Sequence, residues 1–171
     1  MTLGDEIKLL LEAPTMNASD VRTLLRQDHE EVLQLARDMY ESESGDERRS
    51  LFKQLRPALM AHARAEEREV YDALRKGQDG VDAHDIANEG YVEHEMLDDL
   101  LERMAKSRKT ESDEWKAHAK VLLEFLEHHI EDEHANMFEL LVEQYSDTER
   151  ETMGRRFLAA KARMNMKAKA A

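Results

Sequence analysis

Apolar residues recur at helical spacing through most of the chain. Leu25, Val32, Leu33, Ala36 and Tyr40 mark one stripe, and similar stripes pass through Leu55, Leu59 and Val70, through Ala87, Tyr91, Leu97 and Leu101, and through Leu122, Phe125, Leu126 and Met137. The breaks between stripes are polar or glycine-rich. Ala13-Pro14-Thr15 ends a short helix over 3–12, and Ser19-Asp20 caps the next, which ends near 42–46. A second long helix is expected from about 47 to 76, stopping at Gly77, with Pro57 kinking or dividing it. A third covers about 82–107, with Gly90 as a weak point, and a fourth about 112–145. The capping box Ser146-x-x-Glu149 opens a last helix to about 165, and the tail beyond frays.

These stripes predict an all-α fold, an antiparallel up-and-down four-helix bundle with short extra helices at both ends. The expected division is an N-terminal extension (1–18), the bundle (19–145), and a C-terminal helix and tail (146–171). The final helix, with Met153, Phe157 and Leu158, either caps the bundle end or forms a dimer contact.

Composition narrows the function. Only 2 Pro and 6 Gly occur among 171 residues, and there is no cysteine, so disulfides and thiolate metal sites are excluded. A net charge of -13 argues against nucleic-acid and anionic-membrane partners. No apolar run is long enough to span a bilayer and no secretory signal is visible, so a cytoplasmic location is expected.

One pattern occurs twice on the stripes: His62-Ala-Arg-Ala-Glu66 and His129-Ile-Glu-Asp-Glu133. Each is followed by apolar residues at the same spacing: Val70, Tyr71 and Leu74, then Met137, Phe138 and Leu141. About one helix upstream of each stands a histidine in an acidic setting, Asp28-His29-Glu30 and Glu93-His94-Glu95. The chain therefore reads as a duplicated helical hairpin. A single His-x-x-x-Glu is normally a surface pair worth a few tenths of a kcal/mol. Here His29, His62, Glu66, His94, His129 and Glu133 all fall on core-facing stripes. A buried, unpaired carboxylate costs several kcal/mol, and two multivalent cations would neutralise both glutamates. Imidazole and carboxylate without thiolate suit iron, manganese or zinc. The bland alternative is a core with hydrogen-bonded histidines, or a helical phase that exposes them.

The ordered set Leu24-Leu-Arg-Gln-Asp-His29-Glu-Glu-Val32, His62-Ala-Arg-Ala-Glu66-Glu67-Arg-Glu-Val70-Tyr71, Glu93-His94 and His128-His129-Ile-Glu-Asp-Glu133 resembles the hemerythrin-like, or HHE cation-binding, family over about residues 20–163. Phe157-Leu-Ala-Ala-Lys161 is similar to the end of small bacterial members. The resemblance implies two non-heme irons with an oxo or hydroxo bridge. It makes His29, His62, His94 and His129 terminal ligands and Glu66 and Glu133 bridging carboxylates. It also implies a small diatomic or peroxide ligand (O2, peroxide or NO) in redox or oxidative-stress handling. A non-catalytic oxygen, redox or iron sensor is the alternative, and zinc or manganese could replace iron.

Two departures from oxygen-carrying hemerythrins matter. Gly90 and Asp98 flank His94 four residues to either side, so a fifth histidine is missing, and the fourth helix carries His129 with Glu133 rather than His-x-x-x-x-Asp. Two octahedral ions offer roughly 12 positions. Four histidines, two bridging carboxylates and a shared bridge leave about two for exogenous ligand, water, Asp98, Tyr91 or His134. His128 with Asp132 is an alternative pair to His129 with Glu133, and His134 could instead orient a ligand. His84 and His118 are read as structural or solvated. The oligomeric expectation is a monomer or homodimer.

Overall fold

The computed structural model describes residues 20–76 and 81–170. The expected helix over 3–12, the Ser19 part of the first cap and the Gly77–Gly80 turn lie outside the described residues. The described chain is all-helical, with no strand. Its α-helices are α1 (Val21–Glu41), α2 (Gly45–Glu66), α3 (Asp72–Lys76), α4 (Val81–Lys106), α5 (Asp113–Asp132), α6 (Phe138–Gln144) and α7 (Asp147–Ala170). Two π-helical segments, Glu67–Tyr71 and Glu133–Met137, join α2 to α3 and α5 to α6.

The caps follow the local sequence. Asp20 accepts from Arg22 N, Ser44 from Glu47 N and Ser112 from Trp115 N. Glu149 returns a bond to the Ser146 backbone at 2.8 Å, as a capping box does. Pro57 does not divide its helix, because it sits on the exposed face of a continuous α2, where solvent can reach the carbonyl it leaves unbonded. The interruption falls ten residues later, at the first π segment.

α1 packs against α2, α5 and α7, α2 also meets α7, and α4 meets α3 and α5. Two apolar clusters result. One gathers Val21, Leu25, Val70, Leu74, Ala87, Met137, Leu141 and Phe157. The other gathers Val32, Met39, Leu55, Leu59, Leu101, Trp115, Leu122 and Leu126. α1 and α4 run from the first cluster to the second, whereas α2 and α5 run the reverse way. Between the clusters, each of these four helices contributes a buried histidine.

α7 does not merely cover one end. It lies along α1 and α2, burying Phe157 and Ala160. Arg150, itself buried, fastens the start of α7 by donating from Nε to Asp20 Oδ2 at 2.8 Å and from its guanidinium to Tyr145 O and Asp147. Burial alone would raise the Asp20 pKa, but the hydrogen bonds from Arg22 and Arg150 outweigh it and hold the carboxylate well below its ordinary range.

Phe157 is fully buried against α1 and α2. Phe157→Ala should cost about 3–4 kcal/mol in urea denaturation. Asp20 has a folded-state pKa below its unfolded value, so its contribution is complete above about pH 4 and is lost as pH falls. In acid titrations of stability, Asp20→Asn should remove part of the wild-type slope below that pH and leave the remainder of the curve parallel.

Candidate metal centre

Helical phase brings the six sequence-predicted side chains together. His29 comes from α1, His62 and Glu66 from α2, His94 from α4 and His129 from α5, while Glu133 opens the second π segment. None is more than 5% exposed. His29 Nε2 lies 3.1 Å from His62 Nε2, and His62 Nε2 lies 3.3 Å from Glu66 Oε2. The same Glu66 oxygen is 3.5 Å from His94 Nε2. Glu133 spans the centre the other way, with Oε2 3.3 Å from His29 Nε2 and Oε1 3.7 Å from His129 Nε2. Two groups could each hold an ion: His29, His62 and Glu66, and Glu66, His94 and His129, with candidate ligand atoms in each within 4.8 Å of one another. Glu66 belongs to both.

The outward ring nitrogens are held in turn. His62 donates from Nδ1 to Asp28 at 3.1 Å, His94 to Glu67 at 3.1 Å and His129 to Glu93 at 2.5 Å. His29 Nδ1 shares a hydrogen bond with His134 Nε2 at 3.0 Å. Such partners fix the tautomer and turn each Nε2 lone pair inward, as in histidine metal sites. Each partner sits beside a core residue in sequence: Asp28 and Glu93 precede their histidines, and Glu67 and His134 follow their glutamates.

Inside this ring, hydrogen bonding is incomplete. Both Glu66 oxygens, Glu133 Oε2 and His129 Nε2 are buried without a hydrogen-bond partner among the described residues. A native interior rarely leaves buried polar atoms in that condition. Oxygen and imidazole acceptors around an unsatisfied interior fit divalent cations.

The electrostatics agree. Burial disfavours a charged His62, but the carboxylates of Glu66 and Asp28 overcome it and raise its pKa to about 10. His129 is likewise raised to about 9 against its burial, chiefly by Glu133 and Glu93. Burial holds His29 well below the usual value and His94 below it. Burial and the adjacent Glu66 charge push Glu133 up to about 8, while the surrounding imidazoles keep Glu66 ionised despite its burial. Two carboxylates this close resist joint ionisation unless positive charge is shared between them.

The other candidates separate cleanly. Asp98 pairs with Arg64 rather than entering the centre. Tyr91 donates to Asp72 at 2.9 Å and to the Glu67 carbonyl at 3.1 Å. His128 is exposed and faces Asp132 at 3.4 Å. His134 supports His29, as an orienting residue would. His84 is exposed, and His118 bonds its own helix through the Glu114 carbonyl.

Three features were not read from the sequence. The first π segment starts directly after Glu66 and the second at Glu133 itself, and their signal was the shared apolar spacing after each glutamate. π-bulges often mark functional sites. Lys161 on α7 donates to Asp28, and the Phe157 ring packs edge-on to His62 at 5.8 Å. Finally, the buried Tyr71 hydroxyl donates to Glu133. Burial, then Glu133, pushes the Tyr71 pKa well above its ordinary value. Its ring fits because α4 carries Gly90 opposite it, where a Cβ would fall inside van der Waals distance.

The helical bundle and its buried His/Glu layer define a protein built to bind cations in its interior. The chain belongs to the family described as the hemerythrin HHE cation binding domain, whose model matches residues 20–141. A curated relative from Nostoc sp. (strain PCC 7120), described as a DNA nickase, is 26% identical over 152 residues, covering 89% of this chain and 41% of the relative. The chain thus spans about two fifths of that relative's length. No solved structure matches it. Among the described residues, no helix is long and apolar enough to cross a membrane.

Alanine at an open helical position would stabilise by up to about 1 kcal/mol over glycine. At position 90 the sign should reverse, with Gly90→Ala destabilising by about 1–3 kcal/mol through its clash with Tyr71. Tyr71→Leu in the same chain should recover most of that loss, read as a coupling energy in a double-mutant denaturation cycle.

Proposed function

We propose that the chain holds two metal ions, iron foremost, in an antiparallel four-helix bundle, and uses the centre to bind oxygen-derived small ligands. His29 and His62 would serve one ion, His94 and His129 the other, with Glu66 and Glu133 between them. The observation that carries this reading is the set of buried, unpartnered acceptors on Glu66, Glu133 and His129, surrounded by histidines whose outer nitrogens are already engaged. Zinc or manganese suits the same donors, so metal identity belongs to the test.

Bound iron would supply reversible electron transfer and open positions for O2, peroxide or NO. The chain's own residues do the rest. Asp28, Glu67 and Glu93 orient their imidazoles and increase their donor strength. The apolar clusters exclude water on both sides of the layer. Tyr71 holds a proton against Glu133 Oε1, the only hydroxyl proton placed at the carboxylate pair among the described residues. A ligand gaining negative charge at the centre would find its nearest donor there.

The nickase activity of the Nostoc relative is not part of this proposal. A net charge of -13 repels a phosphate backbone, and the similarity spans a minor part of that protein. A non-catalytic sensor, in which reduction alters helix packing without turnover, would use the same centre.

Metal quantification with absorption spectra before and after peroxide, for wild type and His62→Ala, tests the reading. Wild type should carry about two irons per chain with a near-ultraviolet charge-transfer band that responds to peroxide, and His62→Ala should lose roughly half its metal or more. Unchanged metal content in the variant would remove His62 from the ligand set, and a metal-free wild type of full thermal stability would overturn the assignment.

A further inference from the structure

The two halves of the duplication are not equally open. Between α4 and the α5–π segment lies a cleft of about 40 Å³. Its walls are residues 86, 89, 90 and 93 on one side and 129, 132, 133 and 136 on the other, the same helical spacing twice, with Tyr71 between them. Glu89 is exposed at the mouth, Glu93 and Asp132 are half-buried within, and Glu133 and His129 are buried at the inner end. The lining contains four carboxylates and no lysine or arginine.

The corresponding positions of the first half read differently. Leu24 and Leu25 replace Glu89 and Gly90, and Ala65 replaces Asp132. Leu25 and Ala65 are wholly buried, in the cluster that also contains Phe157 of α7. The first half is thus sealed with apolar side chains. The second has no side chain at Gly90, whose place the Tyr71 ring takes, and its cleft is lined with acids.

An acidic cluster on a surface is ordinary. This one ends on His129 Nε2 and Glu133 Oε2, both buried and without a hydrogen-bond partner. We propose that the cleft between α4 and α5 is the entry port through which divalent metal cations reach the buried centre. The proposal rests on the dimetal reading above. The cleft admits on the order of one to three water-sized guests, so a hydrated ion must shed water to pass. Carboxylates at successive depths replace those lost oxygens as the ion descends. Their summed field also concentrates cations at the mouth, an effect worth about 10–1000-fold in rate and weakened by salt.

Stopped-flow uptake of Co2+ by metal-free protein tests this, using Glu89→Lys/Asp132→Asn as the port variant. A control, Glu30→Lys/Glu31→Gln, makes the same charge change at exposed sites on α1. At low salt the port variant should load at least tenfold more slowly than wild type, with the difference shrinking as salt rises. The control should slow less than twofold, and all three should finish with two Co2+ per chain. Equal loading rates for port variant and control, with full stoichiometry, would overturn the port and leave the metal centre standing. Wild type that takes up no Co2+ would overturn both.

Discussion

Two carboxylates, Glu66 and Glu133, are buried together where four helices meet, with apolar clusters on either side. Such a pair costs several kcal/mol if left ionised and uncompensated. Much of the surrounding structure answers that constraint. Four imidazoles bring ring nitrogens that can share protons or cations with the acids. Asp28, Glu67 and Glu93 fix three of these rings from outside, and Tyr71 satisfies one Glu133 oxygen. The apolar clusters strengthen the interactions by excluding water, and for the same reason penalise any unfilled valence.

The π segments place this chemistry at one level of the bundle. Each adds a residue to its turn at or just after the glutamate of the repeated His-x-x-x-Glu, so Glu66 and Glu133 stay with their histidines while the next apolar residues return to the core. An uninterrupted α-helix would rotate the following stripe by about 100°. Tyr71 and Phe138, five residues after their glutamates, are brought to the buried side with Val70 and Met137 by that added residue. A local departure from α geometry therefore serves both the site and the core beyond it.

The six central residues were legible because two independent periods coincided in the sequence, the helical apolar stripe and the repeated hairpin. Spacing compared between the halves favours His129 over His128, which is exposed on the neighbouring face. The outer hydrogen-bond partners were visible only as an acidic setting, since a carboxylate beside a histidine in sequence does not say whose imidazole it meets. Asp28 adjoins His29 yet bonds His62, and Glu93 adjoins His94 yet bonds His129. The place of α7 was not legible either. Its apolar residues suit an end cap or a dimer face as well as the groove along α1 and α2, and the contacts of Phe157 and Lys161 depend on tertiary packing. Gly90 read as a helix weakness because the ring it accommodates, Tyr71, lies far away in sequence.

The two halves of the repeat are chemically unlike. Glu67 corresponds to His134, Tyr71 to Phe138 and Gly90 to Leu25. In the first half, Lys161 neutralises the carboxylate behind His62, and His29 leans on a neutral imidazole whose pKa burial lowers. In the second, Arg64 is divided between Glu67 and Asp98, and the charges acting on Glu93 are imidazoles. Negative charge therefore accumulates around His94 and His129, on the side where the cleft opens, and is cancelled around His29 and His62, on the side α7 seals. A cation at the second position would meet stronger anionic support and more solvent, and one at the first a drier and more neutral shell. Near-identical donor sets thus form two different environments, and the difference arises from the residues behind the donors.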